Sequence, residues 1–341
     1  MPSPDPRPPS EADDLEIRRA GPDDVGAIVA LCQAALGWDP ADPNEAFFRW
    51  KHLENPAGPS PMWVATDHGR LVGVRVFLRW RFVSGAGREL DAVRAVDTAT
   101  HPDAQGRGVF SRLTRHALDE LRDEGVDFVF NTPNDQSRPG YLKMGWQVVG
   151  RVPVAVRPRS PRALLAMARA RVPAQKWSLA TPAGQPAPRV LADRSALDEL
   201  LGRLAPADGR ADGLATRRDV EHLGWRYGFA PLRYRAVVAP GGPAHGVAVF
   251  RVRRRGEATE AAVCELLAPD PSTARGLIGQ VAAATGADYL IAAASASAAP
   301  RLGLVPMPTQ GPILTWREVA PGTRCPPLAA WSLALGDVEL F

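Results

Sequence analysis

The most constraining feature of this sequence is a strand pattern that passes through a glycine-rich turn directly into a helix pattern. Residues 90–100 alternate polar side chains with small or β-branched ones, which predicts a strand that ends at Pro102. A helix pattern over 109–122 follows the turn Gln105-Gly106-Arg107-Gly108. Glycines let successive main-chain N–H groups point to one place, and the helix start adds unpaired N–H groups and positive dipole charge. The pattern predicts an anion site suited to a diphosphate, although a glycine before a helix often only marks where the helix begins.

A second motif lies about 30 residues further on, after a predicted strand over 126–130. The two motifs together resemble the GNAT superfamily of acyl-CoA N-acyltransferases. The family signature Arg/Gln-x-x-Gly-x-Gly/Ala is matched by Gln105 and Gly108, with Phe110 at its last position. The signature Tyr-x-Lys-x-Gly-Phe/Trp is matched by Tyr141, Lys143, Gly145 and Trp146.

The resemblance implies acetyl-CoA, or another acyl-CoA, as co-substrate and no metal. It assigns the thioester carbonyl to the main chain of Thr98 and Thr100, and the CoA arm to Asn134, which equally fits a turn. The residues that it implies for the diphosphate are Gln105, Gly106, Arg107, Gly108, Val109 and Phe110.

The same resemblance places Tyr141 where the family often protonates the leaving sulfur; the alternative for Tyr141 is a half-buried helix aromatic. Two residues compete for the role of general base. Asp97 lies on the strand but needs burial to raise its pKa, whereas His101 titrates near neutrality by nature. A structural role for each, or a chain of water molecules in place of both, remains open. Trp50 and Trp63 fit an acceptor site or, more simply, the core.

Composition and cysteine spacing fit a cytoplasmic protein. The 341 residues, of which 45% are hydrophobic, allow two domains with real cores, and the net charge of +4 rests mostly on arginine. Cys32, Cys264 and Cys325 lie too far apart for a metal motif or a disulfide framework. The Ala-rich stretch 276–299 contains Gln280 and Asp288, and therefore predicts a buried helix and strand rather than a membrane span.

The second half of the chain repeats the order of the first. Phe47-Phe-Arg-Trp50 is echoed by Leu223-Gly-Trp225, and 99–103 by 265–270, after which a helix and a strand ending near Leu290 follow. The second copy lacks the Gln-x-x-Gly spacing and has Ala299 in place of Tyr141, which predicts loss of its acyl-CoA site. An unrelated α/β domain is the alternative. The closing segment 331–335 predicts a strand, with Asp337 and Glu339 beyond it either lining a site or exposed.

The predicted fold class is α/β, with two tandem GNAT-like domains, each a mixed, largely antiparallel sheet with helices on both faces. Strands near 95–100 and 126–130 should run parallel and splay apart. The predicted divisions are a disordered tail over 1–14, a catalytic domain over 15–155, a basic Pro-rich linker over 156–190 and a degenerate GNAT-like domain over 191–341.

The leading hypothesis is N-acetyl transfer from acyl-CoA to a small-molecule amine by direct attack in a ternary complex. The segment 152–192 contains no acidic residue, and an amphipathic helix over 163–172 within it would suit an anionic partner. A solvated connector is the simpler interpretation, so neither nucleic acid nor a membrane span is expected. Two alternatives stay open: a tandem-GNAT transferase that uses aminoacyl- or peptidyl-tRNA, and a non-catalytic CoA-binding protein.

Overall fold

The computed structural model describes residues 15–163, 167, 172–204 and 213–339. The predicted tail over 1–14 and most of the predicted helix over 163–172 lie outside these residues. The first sheet consists of β1 (Leu15–Arg19), β2 (Met62–Asp67), β3 (Arg70–Ser84), β4 (Glu89–Thr100), β5 (Phe128–Asn131), β6 (Gln147–Arg151), β9 (Leu214–Thr216), β15 (Ile313–Glu318) and β16 (Trp331–Ser332). The second sheet consists of β7 (Val154–Pro158), β8 (Gln185–Pro186), β10 (Arg235–Val238), β11 (Val247–Arg255), β12 (Ala258–Leu267), β13 (Tyr289–Ala293) and β14 (Val305–Pro306).

Helices pack on both faces of these sheets. Their bounds are α1 (Val25–Leu36), α2 (Asn44–His52), α3 (Val109–Asp123), α4 (Arg138–Lys143), α5 (Ala187–Leu191), α6 (Arg194–Arg203), α7 (Val220–Gly228), α8 (Pro271–Thr285) and α9 (Leu335–Val338). Alternation along β2 shows the layering, because Trp63 packs in the same core cluster as α3 and Val64 in the cluster of α1. The predicted α/β class with two mixed sheets is confirmed.

The predicted parallel pair is confirmed as well. β4 and β5 pair in parallel, in a register that joins Ala92 to Phe128 and Arg94 to Phe130. Beyond Arg94 the recorded pairing stops, whereas β4 continues to Thr100. The two strands therefore diverge and leave one edge of the end of β4 open.

The two halves of the chain exchange a strand. In the first sheet, β15 lies between β5 and β6, antiparallel to both. In the second sheet, β7, which follows β6 after two residues, pairs with β13 and β14. The segment that leaves β6 and the segment that enters β15 pass each other at Val152 and Gly311. Gly311 has a φ of +89°, and a Cβ on it would lie 2.3 Å from the Val152 carbonyl oxygen.

Because of this exchange, the sheets do not follow the predicted divisions of the sequence. The predicted boundary between residues 155 and 156 falls inside β7, and β15 belongs to the sheet of the other half. The predicted closing strand is also shorter than expected: only Trp331 and Ser332 pair, with β9 at the edge of the first sheet. The strand expected to end near Leu290 instead spans Tyr289–Ala293.

The predicted internal repeat has a physical counterpart at the contact between α2 and α7. The Trp50 indole N–H donates to the Trp225 carbonyl over 2.9 Å, and the Trp225 indole N–H donates to the Trp50 carbonyl over 2.8 Å. The two rings stack with centroids 5.6 Å apart. The two residues that the predicted repeat makes equivalent therefore contact each other reciprocally.

The strand exchange predicts that damage to β15 spreads to the first half of the chain. Thr315 is fully buried and pairs with Asn131 in β5 and Val148 in β6. Because proline has no N–H group, a Thr315→Pro substitution removes a hydrogen bond that β15 donates within this sheet. We expect a loss of at least about 3 kcal/mol in the free energy of unfolding, and faster hydrogen exchange in β5 and β6.

The control is Val305→Pro in β14, an exposed edge strand of the second sheet, for which a small effect is expected. Loss of amide protection confined to residues 191–341 in the Thr315→Pro variant would contradict the exchange.

Candidate active site

The glycine turn before α3 is built as an open cradle. Gly106 and Gly108 have φ angles of +79° and +73°, which favour glycine, and residues 105, 106 and 108 are exposed. Gly108 is the N-cap of α3, and no side chain in the described part of the chain caps this helix end. The N–H groups at the start of α3 and its positive dipole therefore face a solvent-accessible turn.

The start of α3 is held close to the sheet by a glycine in β3. A Cβ on Gly73 would lie 2.5 Å from Cγ1 of Val109 and 3.0 Å from Cδ1 of Leu113. Val109, predicted as a cradle residue, thus packs inward, and its main chain alone faces the turn. Phe110 also packs inward, with its ring 5.4 Å from that of Tyr141. Arg107 pairs with Asp67 over 2.5 Å, so its charge lies beside the turn rather than in it.

A bulge interrupts β4 just before this turn. Val76 pairs with Val96 and Val74 with Ala99, so Asp97 and Thr98 together lie opposite Arg75. Asp97 has a φ of +43°, which is uncommon for a residue other than glycine. The bulge interrupts the regular alternation of β4 at Thr98, while Thr100 pairs with Gly73.

Asp97 is held by two basic side chains of α2. Lys51 Nζ and His52 Nε2 both donate to Asp97 Oδ2 over 2.7 Å, and all three side chains are buried. Burial by itself would raise the pKa of Asp97, but the charge of Lys51 and the hydrogen bond from His52 outweigh it and hold that pKa well below the usual range. Burial lowers the pKa of His52, and its Nδ1 lies 2.9 Å from the Ser60 hydroxyl. The rise in pKa that a base role for Asp97 required does not occur.

Tyr141 lies beside the bulge, and a residue that the sequence analysis missed connects the two. Arg75 Nη1 donates to Tyr141 Oη over 2.7 Å and to Thr98 Oγ1 over 2.5 Å. Arg75 is fully buried among the rings of Phe77, Phe110 and Tyr141. Tyr141 is 5% exposed, which is more buried than the half-buried helix aromatic of the alternative interpretation. A signal was present in the sequence, because Arg75 interrupts the apolar run of β3.

The other predicted site residues lie further from this centre. His101, the rival base, is bonded through Nε2 to Arg70 Nη2 over 2.7 Å at the start of the exposed turn. Asn134 is exposed, and its Oδ1 accepts from Ser137 N and Oγ over 2.8 and 2.9 Å, as in the turn interpretation. Its amide nitrogen remains the group for a CoA contact.

A small cavity lies on the face of β4 that meets the second half of the chain. Its volume is about 80 Å³, and its lining comes from both halves: Trp50, Lys51, Leu78, Trp80, Arg94, Ala95, Val96, Asp97, Trp225, Arg226 and Glu339. Trp63 is not among them; it lies in the core beneath Arg19. Glu339 is buried, not exposed, and Arg226, Arg251 and Arg253 surround its carboxylate. Although burial opposes it, their charges lower the pKa of Glu339 to about 2.

The matching site of the second half is closed. Asp270 is the N-cap of α8 and accepts hydrogen bonds from the main-chain N–H groups of Ser272 and Thr273, where α3 has only glycine. A carboxylate thus occupies the helix end that would meet an anion. Ala299, which replaces Tyr141, is fully buried in a short 3₁₀ helix, Ala299–Leu302. The expected loss of an acyl-CoA site in this half stays a prediction.

Among the described residues, no group of three or more His, Cys, Asp and Glu side chains is arranged to hold a metal ion. No helix in the same part of the chain is long and apolar enough to cross a membrane.

Comparison with known proteins identifies a domain in the first half of the chain. Residues 16–149 match the family described as "Acetyltransferase (GNAT) domain". No protein with a curated description matches the sequence.

Similar solved structures cover most of the chain. A protein from Enterococcus faecalis, titled a conserved protein of unknown function and probable N-acyltransferase, aligns over 91% of this chain and 74% of its own, with a TM-score of 0.63 and 13% identity. A GCN5-related N-acetyltransferase from Kribbella flavida aligns over 90% and 71%, with a TM-score of 0.63 and 19% identity. Another from Anabaena variabilis aligns over 89% and 73%, with a TM-score of 0.62 and 14% identity. At these identities the likeness shows a shared fold.

The buried charges around Asp97 predict a pH-dependent contribution to stability. Asp97→Asn leaves Lys51 buried without its partner, so we expect the free energy of unfolding at pH 7 to fall by about 3 kcal/mol. Since the folded-state pKa of Asp97 is lowered, its contribution is present above roughly pH 4 and is lost as the pH falls below that value. Denaturant unfolding of both proteins between pH 3 and 7 measures the difference.

Two controls accompany this measurement. Asp91→Asn, at an exposed carboxylate on the same strand, should change stability by less than about 0.5 kcal/mol. Adding Lys51→Met to Asp97→Asn should restore part of the loss, because no unpaired cation then remains buried. An equal effect of Asp91→Asn and Asp97→Asn would refute the assignment.

Proposed function

Since residues 16–149 are a GNAT domain and the whole chain shares the fold of GCN5-related N-acetyltransferases, we propose that this protein transfers an acyl group from acyl-CoA to an amine. The observation that carries the proposal is a convergence at the open end of β4. There the diverging edge of the strand, the uncapped start of α3 and the Tyr141 hydroxyl lie together. We further propose that the acyl group is acetyl, that the protein acts in the cytoplasm and that the acceptor is a small molecule.

The residues present fit an acyl-CoA. The turn at 105–108 and the first N–H groups of α3 would bind the diphosphate, with the Asn134 amide beside the arm of the molecule. The open edge of β4 would hold the pantetheine. Beyond Arg94 the main-chain groups on this edge do not pair with β5, so they could pair with the amides of the pantetheine instead. The main chain of Thr98 and Thr100 would donate to the thioester carbonyl and stabilise the negative charge that develops there.

The acceptor amine would enter from the cavity on the other face of β4. Asp97 lines this cavity and is held ionised by Lys51 and His52, so it suits binding of the acceptor's ammonium group rather than removal of a proton. His101 is not among the lining residues. We therefore propose that water in the cavity removes the proton.

The proposed transfer is a single displacement. The acceptor's ammonium group first loses one proton to water. Its neutral nitrogen then forms an amide bond to the acyl carbon as the carbon–sulfur bond breaks, and it loses a second proton to water. Tyr141 donates its phenolic proton to the departing sulfur and regains one from solvent. Arg75, whose charge faces the Tyr141 oxygen, stabilises the transient phenolate and keeps it oriented towards Thr98.

A Gly108→Glu substitution tests the diphosphate cradle. A carboxylate at the start of α3 repels the diphosphate and blocks N–H groups whose charge-assisted bonds are worth about 1.5–3 kcal/mol each, so acetyl-CoA should bind at least about tenfold more weakly. Isothermal titration calorimetry of purified protein with acetyl-CoA measures this affinity.

Gly87→Glu is the matched control. Gly87 has a φ of +79° and open space around it, as Gly108 does, but it lies in the turn between β3 and β4. Equal losses of affinity in the two variants would mean backbone strain rather than a blocked site, and no binding by the wild type would refute the proposed function.

Tyr141→Phe separates catalysis from binding. The variant keeps the ring contacts with Phe110 and Trp146 but loses the proton donor, so turnover should fall by about 100-fold or more while acetyl-CoA affinity changes little. The readouts are thiol release with an acceptor panel and calorimetry with acetyl-CoA.

Tyr289→Phe removes a comparable hydrogen-bonded hydroxyl in the second half and should leave turnover unchanged. Unchanged turnover in Tyr141→Phe would exclude the acid role. A wild type that binds acetyl-CoA but transfers it to no amine would favour the non-catalytic alternative.

A further inference from the structure

Arg94 is a buried cation of the candidate acceptor cavity, and no carboxylate among the described residues is bonded to it. It is 4% exposed and lines the cavity next to Ala95 and Val96. Its guanidinium donates to neutral oxygens only: the Thr132 hydroxyl over 3.2 Å and the carbonyls of Val338 and Glu339 over 2.9 and 3.1 Å. Its Nε is buried and has no hydrogen-bond partner in the described part of the chain.

The carboxylates nearby are already bound to other cations. Asp97 is bonded to Lys51 and His52, and Glu339 is surrounded by three other arginines. Asp337, which also acts on Arg94 electrostatically, is bonded to Arg218 over 2.8 Å. Burial, and after it the charge of Arg226, lowers the pKa of Arg94 to about 10. Among its lining residues the cavity therefore has three cations against two carboxylates.

The remaining walls offer no anion and little hydrogen bonding. Trp50 and Trp225 donate their indole N–H groups to each other's carbonyls, and Trp80 donates to the Thr216 hydroxyl over 3.0 Å. The indole rings thus form apolar walls around the charged groups. A buried cation in such surroundings is costly unless a bound anion balances it.

We propose that the acceptor is an amine that also bears a carboxylate, as an amino acid does, and that Arg94 binds this carboxylate. This inference rests on the proposed function. Asp97 follows Arg94 by three positions along β4, a rise of about 10 Å, and both residues line the one cavity. The ammonium group lies at Asp97, at the open end of β4, and the carboxylate lies at Arg94. The cavity should bind polyamines poorly, because Arg94 and Arg226 would repel their second ammonium group.

The test compares acceptors that differ only in the carboxylate. Acetyl transfer is measured with L-alanine against ethylamine, β-alanine against propylamine, and L-phenylalanine against 2-phenylethylamine. One charge-assisted pair corresponds to at least about a tenfold preference in kcat/KM for the amino acid. Calorimetry of the same pairs with CoA-saturated protein gives the preference in binding without turnover.

Arg94→Gln and Arg94→Lys assign the preference to this side chain. In Arg94→Gln the preference should collapse to within about twofold, because the neutral amide keeps a donor but loses the charge, while Arg94→Lys should retain part of it. Since Arg94 also holds the main chain at Val338 and Glu339, the ratio within each variant is the readout, which a general loss of folding does not change.

The outcomes separate the two proposals. Equal use of both members of each pair, a preference for the plain amines, or an undiminished preference in Arg94→Gln overturns the carboxylate assignment and leaves the transferase proposal intact. Failure of every amino acid to bind the CoA-saturated protein also overturns it. Failure of acetyl-CoA to bind the wild type instead refutes the proposed function.

Discussion

The strand exchange is the constraint on which the rest of the structure depends. Every buried main-chain N–H and C=O group needs a partner, and β5 finds one on its far side only in β15, a strand from the other end of the chain. β5, the strand from which β4 diverges, is held along its other edge by β15. The slot proposed for acyl-CoA in the first half is therefore fixed by residues of the second half.

The charged residues that line the cavity also come from both halves of the chain. Asp97 and Lys51 come from the first half, whereas Arg226 and Glu339 come from the second, and all four line one cavity. In the second half the Asp270 side chain caps the start of α8, and other residues of that half complete the cavity.

Local patterns predicted the parts of this fold that depend on nearby residues. The strand, turn and helix around Gly106 and Gly108 were readable in the sequence, and the parallel strands β4 and β5 followed from the family resemblance. The exchange was not readable, because the short buried runs in Val154–Pro158 and Ile313–Glu318 suit a strand of either sheet. Strand pairing over such a separation is decided by tertiary packing, which local periodicity does not record.

The candidate site, too, was predictable from the sequence only in part. Its residue types and positions on β4 and α4 followed from two motifs, and their roles stay predictions. The ionic state of Asp97 did not follow, because Lys51 and His52 lie 45 or more residues earlier in the chain. Arg75 was missed for a related reason: an arginine inside an apolar strand has meaning only once the rings and hydroxyls around it are known.

The exchange also determines when the first sheet can be completed during synthesis. Roughly 160 residues separate the end of β6 from the start of β15, which at common elongation rates is on the order of 10–30 s. During that interval the edges of β5 and β6 that β15 later covers have no strand from their own sheet. A nascent chain with such edges is a substrate for chaperones, and the two halves can only reach their final form together.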